Sequence, residues 1–152
     1  MPHQRWGAFG PLLSLRCGVA LLVLTGLPAD HQYPLAAAAG LHNACLFHEC
    51  HEALEPLWDP AEGDLRSGLQ GLILLAGGYH HQQFHQRGGA EALWRDALER
   101  ATGTELPTPW GVLAFGQALD ATAQRLRWME ANPETRDLAP LWEFPRPVWE
   151  LK

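Results

Sequence analysis

The chain has 152 residues, a formal charge of -6 and 47% apolar residues, with seven tryptophans. That length holds one domain with its own core and is short for two, and the apolar content rules out a disordered polymer for most of it. No block of clustered basic residues is present to neutralise phosphates, so no nucleic-acid partner is expected.

Single-residue absences narrow the chemistry further. Lys152 is the only lysine, which excludes a P-loop lysine and a buried Schiff-base lysine. The two serines, Ser14 and Ser67, stand outside any Gly-x-Ser-x-Gly context, and no Gly-x-Gly-x-x-Gly fingerprint occurs. Cys17, Cys45 and Cys50 form no Cys-x-x-Cys, and such a sparse, odd set suits a reducing compartment.

Residues 1–29 form an apolar N-terminal extension. Arg5 and Arg16 precede an eleven-residue apolar run over 17–27, closed by Pro28 and Ala29. The run is too short for a stable membrane span. It reads either as an extra helix or as a signal-like segment with a poor cleavage end, because Leu27 stands where a small residue belongs. A cytoplasmic location is the expectation, with export or membrane association through this segment as the alternative.

The helical domain is expected over 30–135. Pro34 suits a first helical turn and four alanines follow at 36–39, so one long helix is predicted over 34–58, disturbed near Pro56. A turn over 59–63 leads to Asp64 as N-cap and a second helix over 65–86. Gly68, Gly71 and Gly78 fall near one another on that helix. Each glycine costs up to about 1 kcal/mol there, which close approach of a neighbouring backbone would offset. Gly88-Gly89 ends the helix, a third follows over 90–101, and Thr108-Pro109 starts a fourth that runs to 132. No strand signal stands out. The tail, 136–152, carries three prolines beside Trp142, Phe144 and Trp149 and is expected to lie extended across the bundle. The fold class is therefore all-α: a compact antiparallel bundle of four core helices with an N-terminal apolar helix and an extended aromatic tail.

The densest polar segment is His48-Glu49-Cys50-His51-Glu52, continuing to Glu55 and Trp58. Residues three or four apart share a helix face, so His48, His51, Glu55 and Trp58 form one stripe beside the apolar stripe of Phe47, Cys50, Leu54 and Leu57. Glu49 and Glu52 lean away from it. Two uses of the stripe follow. His51 and Glu55 can act as metal ligands or as an acid–base pair in a metal-dependent hydrolase, whose cofactor would be a divalent transition metal. Alternatively, His51, Glu55 and Gln70 form a buried hydrogen-bond lock under Trp58 in a module that binds a small molecule or a protein partner. His80 is a further binding candidate from the second helix. In the buried case Glu55→Ala should cost about 1–3 kcal/mol. A homodimer is compatible with the apolar surface.

The segment His51-Glu52-Ala53-Leu54-Glu55-Pro56-Leu57-Trp58 resembles the His-Glu-x-x-Glu-x-x-Trp signature of the prokaryotic domain-of-unknown-function family numbered 309. The lead-in, Asn43-Ala44 and Phe47-His48-Glu49, is similar too, with Cys45 where that family usually has glycine. A second similar stretch runs from Leu69-Gln70-Gly71-Leu72-Ile73 to Tyr79-His80. The resemblance covers about residues 35–102. It implies the helical fold, weights Glu49, Trp58, Gln70 and His80 as binding residues, and implies no particular reaction.

Overall fold

The structure, a computed structural model, describes residues 33–101 and 103–152; the apolar extension expected over 1–29 lies outside them. Five α-helices are described: α1 Tyr33–Asn43, α2 Phe47–Trp58, α3 Gly63–Gln83, α4 Arg87–Arg100 and α5 Gly116–Ala131. A small sheet of β1 Glu105–Thr108, β2 Gly111–Ala114 and β3 Glu150–Leu151 completes the fold, with a short 3-10 turn at Ala139–Glu143. The protein is mostly helical and its helices pack compactly, as the sequence predicts.

The single helix expected over 34–58 is two helices. Leu41 and His42 of α1 accept hydrogen bonds from the amides of Leu46 (2.9 Å) and Cys45 (3.0 Å) respectively. This paired closure ends a helix with one residue in the left-handed region, and that residue is Cys45 at φ 62°. Leu41 and Leu46 are both buried, which supplies the hydrophobic contact the motif carries. The second junction repeats the device. His81 accepts from the amide of Gln86 (2.9 Å), Gln82 accepts from that of His85 (3.1 Å), and His85 has φ 53°. The helix therefore stops before Gly88-Gly89, and those glycines belong to the first turn of α4.

α3 is the axis of the domain, packed against α2 and α4. Its inner residues, Leu69, Leu72, Leu75, Ala76 and Tyr79, join Phe47, Cys50 and Leu54 of α2 and Trp94 of α4 in one continuous core. Two of the three glycines marked for close approach of a backbone are crowded by side chains instead. A Cβ on Gly78 would overlap the Trp94 indole, and one on Gly68 would lie 2.5 Å from Leu106. Gly71 faces the α4 backbone at ordinary contact distance: a Cβ there meets Arg100 Cβ at 3.7 Å and the Ala97 carbonyl at 3.8 Å.

A β-hairpin replaces the predicted start of the fourth helix. Thr108 pairs with Gly111 and Leu106 with Leu113. Pro109 and Trp110 form the tight turn, closed by a Thr108 Oγ1 hydrogen bond to the Gly111 carbonyl (2.7 Å). Threonine before proline suits a helix start and a turn equally well, since proline's fixed φ serves both. The tail then adds β3, pairing Leu113 with Leu151. Trp149 is buried as expected of a ring laid on the bundle, whereas Trp142 stays 47% exposed.

Candidate functional site

α2 presents its polar stripe between the core and solvent. His51 Nε2 lies 3.0 Å from Glu55 Oε1, and His48 Nε2 lies 3.2 Å from Glu52 Oε1. Both contacts have the spacing of one helical turn. His48 is the more covered histidine, its side chain 12% exposed against 26% for His51. His80 of α3 flanks it, with ring centroids 5.3 Å apart. One ligand atom each from His48, His51 and Glu52 falls within 4.8 Å of the others, a grouping that could hold a metal ion. Glu52, which leans outward from the stripe in a helical projection, joins His48 because the side chain reaches back one turn.

Trp58 and Gln70 sit elsewhere. The Arg66 guanidinium lies 3.9 Å from the centroid of the Trp58 ring and donates to the Asp59 carbonyl (2.9 Å), covering the end of α2. Gln70 lines a shallow depression with Trp58, Arg66, Ser67 and Arg100. Among the described residues, Gln70 makes no hydrogen bond to His51 or Glu55. Glu55 is 38% exposed, so the His51–Glu55–Gln70 group is not a buried lock.

The polar network that does cross the core was missed in the sequence. Arg125 of α5 is buried and donates from Nε to Gln82 (3.1 Å), from Nη1 to the carbonyls of Ala121 (3.1 Å) and Pro145 (2.8 Å), and from Nη2 to Leu141 (3.1 Å). Burial lowers the Arg125 pKa. Beneath it the Tyr79 hydroxyl donates to Thr122 Oγ1 (2.7 Å), which donates to the Ala118 carbonyl (2.7 Å). Burial pushes the Tyr79 phenol up to about 12, opposed by the nearby Arg125 charge. Arg125 was legible in one respect: with Ala118, Ala121, Thr122 and Met129 it keeps the three-four spacing of a buried stripe.

A second missed group ties the first described helix to the tail. His42 Nε2 donates to the Pro147 carbonyl (2.6 Å), and the ring stacks on Trp149 with centroids 3.8 Å apart. Complete burial lowers its pKa to about 3, so the ring is neutral near pH 7. Asn43 brackets the same strand, donating to the Trp149 carbonyl (2.7 Å) and accepting from its amide (2.9 Å). These contacts give the Asn43 of the lead-in a structural task.

Residues 35–99, spanning α1 to α4, match the family model described as domain of unknown function, DUF309. Over that segment the chain is similar to the DUF309 family. The match starts one residue before the alanine run of α1 and ends just inside α4, so it includes the metal-capable face of α2 and excludes the hairpin, α5 and the tail. No curated protein and no solved structure matches the chain. Among the described residues no helix is long and apolar enough to cross a membrane.

Proposed function

We propose that this protein is a cytoplasmic binding module that holds one divalent transition-metal ion on α2, through His48, His51 and Glu52. The convergence of two imidazoles and one carboxylate within 4.8 Å on a single helical turn carries this reading. Metal–ligand bonds of about 2.0–2.2 Å bring donor atoms to roughly 3.5 Å, so partly exposed side chains need to close by little more than an ångström. The His48–Glu52 contact is already at 3.2 Å. Glu55 then plays the part of the carboxylate that orients a ligating imidazole through its other ring nitrogen. Glu49 adds negative potential at the same turn, and the chain's net charge of -6 favours a cation. A set of two histidines and one carboxylate suits zinc and leaves a fourth position open.

The reading stops at binding. A hydrolase with His51 and Glu55 as acid and base draws less support, because that pair lies on the half-exposed face of α2, and no residue of α2 lines the cleft walled by Leu72, Leu75, Leu106 and Phe115.

Calorimetric titration of the full, tag-free chain with zinc chloride should give one site per chain with a dissociation constant in the micromolar range or below. His48→Ala, His51→Ala and Glu52→Gln should each weaken it at least tenfold, while His81→Ala leaves it unchanged. Absence of binding at millimolar zinc, or indifference to all three substitutions, means the face holds only intrahelical contacts.

A further inference from the structure

Gly71, buried between α3 and α4, lies beside a cavity. Gly71 of α3 lines a cleft of about 440 Å³ between α3, α4, β1 and α5, walled by Leu72, Leu75, Leu106, Phe115 and Leu119. Pockets for small molecules commonly span about 300–1,000 Å³ and are mostly apolar with few polar groups. The only ionised side chains among the described lining residues are Asp64 and Glu105, both exposed and both anionic. Glu105 already takes an ammonium: Lys152 Nζ lies 2.5 Å from its Oε1.

We infer that this cleft is a binding site for a small molecule with an apolar body and one amine, the body between α3 and α5 and the ammonium on Asp64 and Glu105. Apolar walls select against a wholly polar ligand, since its groups would lose water without gaining partners. Two carboxylates, of which only Glu105 has a basic partner in Lys152, select against an anion. Lys152, on an exposed ion pair of small worth, is displaced from Glu105 when the ligand amine arrives. The cleft shares no residue with His48, His51 or Glu52, so the inference stands or falls apart from the metal site.

The test is amide chemical-shift titration of the full chain with 4-phenylbutylamine, 4-phenylbutanol and 4-phenylbutanoate. Shifts should gather at Gly68, Gly71, Gly103 and Leu106, and the amine should bind at least tenfold more tightly than the carboxylate. Gly71→Leu, which fills the cleft from α3, should weaken amine binding at least tenfold. Asp64→Asn combined with Glu105→Gln, both at exposed side chains, should erase the preference for the amine. Equal affinity for the three compounds, shifts gathered outside the cleft, or unaltered amine binding in both the Gly71→Leu and the double variant overturns the inference.

Discussion

A guanidinium withdrawn from water must recover inside the protein the hydrogen bonds it had in solvent. Arg125 does so through the side chain of Gln82 and the carbonyls of Ala121, Leu141 and Pro145, which join α3, α5 and the tail at one point. Arg125→Leu therefore leaves several buried acceptors unpaired at about 1–3 kcal/mol each, and urea denaturation should show a loss at the upper end of that range or beyond. Glu55→Ala, by contrast, removes one partly exposed contact and should change stability by less than about 1 kcal/mol. The sequence led to the opposite ranking. His51 and Glu55 advertise themselves by being polar beside an apolar stripe, but that spacing locates a boundary and cannot say which side of it solvent takes. Arg125 carried the fainter signal, a lone charge inside an otherwise apolar stripe of α5. A solvated arginine and a buried one have the same local sequence.

At the scale of elements, helix existence was legible and helix ends were not. The apolar spacing of α2, α3 and α4 appears directly in the chain, whereas both paired closures place a residue other than glycine in the left-handed region. Cys45 and His85 each bear a Cβ cost there of about 1–2 kcal/mol, which the buried Leu41–Leu46 contact helps offset at the first junction. Cys45→Gly should then raise the free energy of unfolding by roughly 1 kcal/mol, seen as a higher melting temperature, and Cys45→Ala should not. A fall with glycine would mean that the Cys45 side chain contributes more than its backbone strain costs. The same junctions explain why glycine punctuation misled: Gly88-Gly89 lies beyond a stop already made by His85. The hairpin was hidden for a related reason. Its strands are four residues each, too short to display alternation, and its pairing to β3 joins residues far apart in sequence.

Across the whole molecule, the tail closes the fold by reaching back to its first described helix. His42 is the hinge of that closure, holding Pro147 by a hydrogen bond and Trp149 by stacking. Its ring neighbours Phe47, Tyr79 and Trp149 offer no carboxylate to stabilise an imidazolium. The unfolded chain takes up a proton at His42 near pH 6.5, while the folded chain resists it down to about 3. Stability from this group is thus fully present above pH 6.5 and falls as the pH drops towards 3, by up to about 1.4 kcal/mol per unit. Denaturation between pH 7.5 and 4.5 should show a steeper loss for the native chain than for His42→Phe; parallel curves would show that the tail does not depend on a neutral ring. By itself, the sequence determined that the chain is mostly helical, which faces of its helices are apolar, and which family its first four described helices resemble, because these are properties of neighbours along the chain. The tertiary structure alone decided that Glu55 meets water, that Arg125 and His42 do not, that Trp58 and Gln70 gather around Arg66, and that a glycine lies beside a cleft. Burial belongs to surfaces that meet across long stretches of chain, and no local pattern records which surfaces those are.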